Sequence, residues 1–253
     1  MDLTIASTIA LMILYVYTKN RILGCLAWIS FAIASVIRIP YFLELNDYYN
    51  TVVFSLAFVF FSIMSYSILR RNSKTFVEVT TFSVLSCLAY FPFEFIEILK
   101  TYIVNATARL TAILGNLMGF PMRFEGAIVY IDDCRIEIIL ACTAIESIAL
   151  FTGATLGVNA DLNKRIKAFL VSVPVIYVLN LFRNVFVIVS TAYAWFGVDS
   201  FYVAHHVLAK VFSTIALVFI ALAVFKLLPE LYELIHALKD EIVMSLELDY
   251  NER

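Results

Sequence analysis

IKAFLVSVPVIYVLNLFRNVFVIVSTAYAW, the run from Ile166 to Trp195, decides what kind of molecule this is. A helix that crosses a bilayer needs about 20 mostly apolar residues. This run supplies them, and yet it carries Arg183 flanked by Asn180 and Asn184. An ionisable side chain in such a setting costs at least a few kcal/mol and is read first as a functional site. At i−3, i and i+1 the three polar residues share one helical stripe, which must turn inward because lipid cannot satisfy it. Pro174, just upstream, is placed to kink the helix and re-aim that stripe.

The rest of the chain has the same character. Of its 253 residues 62% are hydrophobic and only 15% charged, against roughly 45–50% apolar content in an average soluble domain. The mean hydropathy is +0.92. The fold class expected is all-α, a polytopic transmembrane helical bundle. Apolar runs mark spans at Leu3–Tyr17 (short), Ile22–Leu43, Thr51–Leu69, Phe76–Leu99, Ile138–Val158, Ile166–Trp195 and Tyr202–Leu228. An eighth stretch, Val104–Met118, contains Arg109 and Asn116 and fits an interfacial helix as well as a span, so the bundle has 7–8 helices. The domain reading is one integral membrane domain over 1–253, with an extracytoplasmic insertion at 100–137 and a cytoplasmic tail at 229–253. The N-terminus enters its apolar run without a positive n-region or a small-residue cleavage site, which reads as a retained span and not a signal peptide.

Composition also argues against several functions. A net charge of −2 without any basic patch argues against nucleic-acid binding. Cys25, Cys87, Cys134 and Cys142 form no CxxC pair and have no metal-ligand spacing with the three histidines. No metal or other cofactor is expected.

Orientation follows from the cations, because cytoplasmic loops are enriched in Lys and Arg. They collect at Lys19 and Arg21, at Arg70, Arg71 and Lys74, at Lys164, Arg165 and Lys167, and in the tail with Lys226, Lys239 and Arg253. The opposite side holds Glu44, Asp47, an acid-rich Lys100–Glu137 segment and Asp199. The reading is therefore a multi-pass protein of the cell membrane with its N-terminus outside and its C-terminus in the cytoplasm. Cys142 then lies 16 residues from Val158, roughly 24 Å at about 1.5 Å per residue. Arg183 lies 17 residues from Ile166, roughly 26 Å. The two sit at one height, and His205 opens the last span within one or two turns of that level. One site near the extracytoplasmic face can hold all three.

Each candidate has a plainer alternative. A cysteine in an apolar helix is usually a small hydrophobe, which is the reading for Cys25 and Cys87. Cys142 differs because Glu146 is expected one turn below it on the same helix face, although a Cys134–Cys142 disulfide is the competing explanation. Arg183 could instead pair with Glu146 and fix helix packing. Adjacent His205 and His206 face about 100° apart in an α-helix, so at most one enters the site. Between residues 119 and 138, short alternating runs punctuated by Gly119, Pro121 and Gly126 and broken at Asp132-Asp133 predict a small β-hairpin. It leads into the Cys142 segment and could cover the site as a lid.

With these residues assembled, the chain resembles the archaeosortases, the archaeal branch of the exosortase/archaeosortase family of membrane transpeptidases. The likeness runs from about Val104 to Phe212. It comprises a helix closing at Leu117-Met118-Gly119, the outer hairpin, Ala141-Cys142-Thr143-Ala144-Ile145 with Ser147, Asn180 with Arg183-Asn184-Val185, and a histidine opening the last span. Ala144 and Ala209 stand where relatives often have Gly, Glu146 stands where Gln is common, and the third catalytic position varies, so His206 and Lys210 compete with His205.

The resemblance implies a cysteine transpeptidase that cleaves the C-terminal sorting signal of secreted surface proteins and moves the new C-terminus to a membrane lipid. The implied partners are substrates ending in a Pro-Gly-Phe-type motif, a transmembrane helix and a basic tail, together with a lipid acceptor. The implied roles are Cys142 as nucleophile, Arg183 as oxyanion or substrate stabiliser and His205 as general acid/base, with Asn180, Asn184 and Glu146 binding substrate. The alternative from a different class is a transporter or channel using Arg183, Glu146 and Asn180, which would need no thiol. A scaffold or receptor would tolerate loss of all three catalytic candidates.

Overall fold

The computed structural model describes residues 2–251. Met1, Glu252 and Arg253, the last counted among the cytoplasmic cations, lie outside them. The chain forms α1 (Asp2–Thr18), α2 (Arg21–Glu44), α3 (Tyr48–Arg70), α4 (Lys74–Phe95) and α5 (Glu97–Leu117). Three short strands follow, β1 (Arg123–Glu125), β2 (Ile128–Ile131) and β3 (Cys134–Glu137). Beyond them come α6 (Ile145–Leu156), α7 (Leu162–Ala192), a helical stretch that opens as a π-helix (Tyr202–Leu208) and continues as α8 (Ala209–Leu227), and α9 (Pro229–Asn251). Helix starts are set by local acceptors. Asn20 takes the Ile22 N–H at 2.9 Å, Asp47 the Asn50 N–H at 3.1 Å and Asp161 the Asn163 N–H at 2.9 Å. Five helical stretches are long and apolar enough to cross a membrane: α2, α3, α4, α7 and Tyr202–Leu227. Thr4–Thr18 and α6 are shorter apolar helices.

The described chain divides into two compact units. One comprises residues 2–87, 157–159 and 230–251. There α1 packs on α2, and α2, α3 and the first part of α4 meet at buried Trp28, whose indole N–H donates to Thr80 Oγ1 at 3.1 Å and whose ring meets Phe61 at 5.6 Å. Cys25 belongs to this packing, with Sγ 3.1 Å from Ser65 Oγ. α9 is tied to α3 by a 2.7 Å Ser67–Ser245 hydroxyl contact and to Arg71 by a 2.8 Å Arg71–Glu241 ion pair.

The second unit, Leu88–Leu156 with Ala160–Pro229, carries the candidate residues. α5, α6, α7 and the sheet share a core in which Val104, Ala108 and Ala112 of α5 meet Val129 and Ile131 of β2, Ile138, and Val185, Ile188 and Val189 of α7. The sheet is antiparallel in the order β1-β2-β3, with Val129 opposite Phe124 and Ile136. Alternation does the rest: Val129 and Ile131 are buried, while Arg123, Glu125, Arg135 and Glu137 face outward and are exposed. Both loops have two residues, and the first of each takes a positive φ, +57° at Gly126 and +49° at Asp132. The expected hairpin is thus present with one strand more. Its base is pinned to α5, because Asn116 donates to Met122 O at 2.7 Å and accepts from the Met122 N–H at 3.1 Å.

Three expectations need correction. Phe76–Leu99 is not one helix: Ile96 is extended (φ −100°, ψ 102°) and α5 starts afresh at Glu97, an acid suited to the positive end of a new helix. Ile138–Val158 is not one helix either, since α6 begins only at Ile145. The last span starts with seven residues of π-helix. Pro174, in contrast, leaves α7 unbroken over its 31 residues.

Candidate active site

The break before α6 is built by two residues. Thr143, fully buried, donates its hydroxyl to Leu140 O at 2.7 Å and accepts the Ile145 N–H at 3.4 Å. Such local bonds give the backbone an alternative to helix. Ala144 then adopts φ +59°, a left-handed conformation costing an L-residue about 1–2 kcal/mol. Its carbonyl receives the Ile148 N–H at 2.9 Å and opens α6. Cys142 therefore ends a 3₁₀ turn, Leu140–Cys142, instead of sitting within an α-helix.

That position strips the Cys142 carbonyl of a helical donor, and α7 supplies replacements. Asn180 Nδ2 donates to it at 2.7 Å and Asn184 Nδ2 at 3.0 Å. Both amides are buried, at 8% and 4% exposure, one turn apart on the inward stripe. Arg183 lies between them on the same helix, half-buried and near enough to Cys142 to interact with it electrostatically. Cys142 and Arg183 are thus brought to the same level along α7.

His205 comes from the π-helical stretch; Ala204 within it and Ala209, the first residue of α8, are buried against Val187 of α7. Small residues let two backbones approach closely. The His205 ring stacks on Phe201 (centroids 5.2 Å, interplanar angle 9°) and meets the His206 ring at 4.6 Å. It interacts electrostatically with Arg183. Its Nδ1 is shut off from solvent without a hydrogen-bond partner among the described residues. His206 and Lys210 are exposed. Cys142, Arg183 and His205 are therefore gathered in one neighbourhood, with His205 the inward member of the three competitors for the last position.

Other candidates stand differently. Glu146, in the first turn of α6, is exposed and makes no ion pair with Arg183 among the described residues. Its electrostatic neighbour is Glu94, which accepts the Tyr90 hydroxyl at 3.2 Å. All four cysteines are free, so no Cys134–Cys142 disulfide forms. Burial raises the Cys134 thiol above its ordinary range. Glu94 escaped the reading of the sequence, though an acid inside the apolar run Phe93-Glu94-Phe95 was a signal of the same kind as Arg183.

An apolar helical scaffold with several candidate spans, and a thiol, a guanidinium and an imidazole brought together from three successive segments, defines a multi-pass membrane protein with a candidate nucleophile site. Transmembrane exosortase (Exosortase_EpsH) is the family whose pattern matches residues 4–226, and the chain belongs to that family. It is similar to Archaeosortase A of Haloferax volcanii, 24% identical over 245 aligned residues that cover 83% of this chain and 81% of that protein. It is also similar to Archaeosortase A of Natronomonas pharaonis, 25% identical over 196 residues, where the alignment covers 64% of this chain and 61% of the relative. No solved structure is a significant match.

Proposed function

We propose that this protein is a membrane cysteine transpeptidase that cuts secreted proteins near a C-terminal sorting signal and transfers the new C-terminus to a membrane lipid. The observation that carries the reading is the double amide clamp from α7 on the carbonyl of Cys142, which holds the candidate nucleophile beside Arg183. Membership of the exosortase family and the likeness to two archaeosortases support it.

In the proposed cycle the Cys142 thiolate attacks the scissile carbonyl carbon. A C–S bond forms, the C–N bond breaks, and the departing amine takes a proton from the His205 imidazolium. A hydroxyl or amine on a lipid headgroup then attacks the thioester, gives its proton to His205 and releases the thiolate. Arg183, always charged and rigidly forked, suits the oxyanion that develops in both steps, where one well-placed donor is worth roughly 3–4 kcal/mol. The unpartnered Nδ1 of His205 is a group whose hydrogen bond awaits a reactant. Asn180 and Asn184 spend their amide donors on Cys142, so in this reading they position the nucleophile, and exposed Glu146 at the start of α6 is the side chain left to bind substrate. The site is assigned to the extracytoplasmic side, a reading that the distribution of the cations supports.

The test uses a secreted reporter ending in Pro-Gly-Phe, one apolar helix and a Lys/Arg-rich tail, expressed with the full chain. Cys142→Ala and Arg183→Ala should each abolish processing while leaving the protein in the membrane, and a thioester to Cys142 should be trapped when acceptor is withheld. Full processing by Cys142→Ala removes the reading. Cys142→Ser separates it from a transporter, whose transport would survive loss of the thiol.

A further inference from the structure

We propose that the open edge of β3 is the strand on which the polypeptide substrate is held, an extended segment pairing its backbone with Arg135 and Glu137 and running from there to Cys142. The inference rests on the peptide-processing reading above. Its starting point is the register of the sheet. Ile131 pairs with Cys134 and Val129 with Ile136, and the Ile138 N–H donates to Ala127 O at 2.8 Å. In an antiparallel ladder hydrogen-bonded pairs alternate with non-bonded ones. Cys134, Ile136 and Ile138 therefore direct their N–H and C=O groups toward β2. Arg135 and Glu137 direct theirs the other way, to the free side of the sheet.

β3 is an end strand in the order β1-β2-β3, and no hydrogen bond of the described residues reaches the backbone groups of Arg135 or Glu137. An end strand with unpaired groups is a template for another strand, and extended peptides are captured in this way by main-chain bonds, with side-chain pockets adding selectivity. What identifies the occupant here is where the strand leads. After Glu137 come Ile138 and an extended Ile139 (φ −106°, ψ 172°), then the 3₁₀ turn that ends at Cys142. Two extended steps of about 3.3 Å and three turn steps of about 2.0 Å make a path of roughly 13 Å. A substrate residue paired with Glu137 thus lies three to four residues from the scissile bond. A chain that arrives from outside and enters the bilayer toward its C-terminus runs in the same direction as β3, so the paired residues are those upstream of the cut. The inner face of β3 cannot serve, since Ile136 packs against the α5–α7 core. Backbone pairing also leaves the substrate's sequence outside the motif free to vary.

Proline on an edge strand removes the outward N–H without touching the inner ladder. Arg135→Pro and Glu137→Pro, introduced singly in the full chain in its own membrane, should lower processing of the Pro-Gly-Phe reporter at least tenfold. Arg135→Ala and Glu137→Ala, which keep the N–H, should process within about twofold of wild type. Alkylation of Cys142 by N-ethylmaleimide, followed by mass spectrometry, should be unchanged in all four. Wild-type processing by the proline variants overturns the proposal, and so does an alanine loss as large as the proline loss. Should the proline variants fail to accumulate, a photo-cross-linker at position 137 in the Cys142→Ala background decides: capture of reporter residues upstream of the motif supports the proposal, and capture only of residues downstream overturns it. Processing by Cys142→Ala alone, by contrast, would remove the thiol-dependent reading on which the proposal stands.

Discussion

Removing the two amides that hold Cys142 has a distinctive, non-additive signature. Asn180 and Asn184 both donate to one carbonyl, at 2.7 and 3.0 Å. Asn180→Leu or Asn184→Leu leaves that carbonyl with one donor, and the loss is that of one ordinary hydrogen bond, about 1 kcal/mol or roughly fivefold in rate. The double variant leaves it with none. An orphaned buried carbonyl costs about 1–3 kcal/mol on its own, and a sulfur free to shift by 1 Å loses about a hundredfold through misalignment. Independent effects would multiply to about 25-fold, whereas the clamp requires the double variant to fall by more than 100-fold. The assay is the initial rate of reporter processing, normalised to the amount of protein in the membrane, for wild type, both singles and the double. The rate of Cys142 alkylation reports whether the thiol has moved. A double variant that keeps a fifth of the wild-type rate, or that equals the product of the singles, refutes the argument that these residues act through Cys142.

Four further outcomes follow from the same geometry. Ala144→Gly should relieve the left-handed strain at φ +59°, worth about 1–2 kcal/mol, less about 0.4–1 kcal/mol of added unfolded-chain entropy; the melting temperature in detergent should rise by about 2 °C, and Ala144→Val should lower it. Gly115→Ala would bring a methyl to 2.2 Å from the Met122 sulfur, so overpacking should cost about 1–3 kcal/mol, read as faster proteolysis of the segment at 119–137. Arg183→Lys should lose processing nearly as fully as Arg183→Ala, because an ammonium cannot reproduce a fixed fork, and comparing the three initial rates settles it. Cys134, whose thiol burial holds above its ordinary range, is protonated at neutral pH; its alkylation should climb only above the free-thiol value of about 8.5. The stability tied to that buried neutral thiol is intact below the free-thiol value and declines as pH rises through the raised one, while Cys134→Ala should process normally.

Much of this architecture was legible because apolar run length is a strong signal in lipid. The runs at Ile22–Leu43 and Thr51–Leu69 became α2 and α3 within a residue or three at each end, and the Gly126 and Asp132 loops were visible as turn chemistry. The inward stripe of Asn180, Arg183 and Asn184 was readable from spacing alone. What hydropathy could not register were breaks inside apolar runs. Ile96, the Thr143-Ala144 turn and the π-helical start at Tyr202 lie in runs that stay apolar on average, and each depends on hydrogen bonds or packing that average hydropathy does not encode. The electrostatic neighbour of Glu146 was hidden for the same reason: Glu94 is remote in the chain, whereas i to i+4 spacing inside an assumed single helix pointed elsewhere.

The break ahead of α6 also explains why the asparagines are needed. In an unbroken helix the Cys142 carbonyl would receive the N–H of Glu146 and the sulfur would be held by its own helix. Its distance from Arg183 would then change with any sliding of α6 along α7. With the helix starting at Ile145, the carbonyl belongs to a group that no helix supplies with donors, and lipid supplies none. Asn180 and Asn184 fill that role from the helix that carries Arg183. One stretch of α7 therefore fixes both the turn bearing the sulfur and the guanidinium, and the relation between them becomes a property of five consecutive residues instead of a docking angle. The strain at Ala144, the buried hydroxyl of Thr143 and the paired amides form one device, in which the first two open the carbonyl and the last captures it.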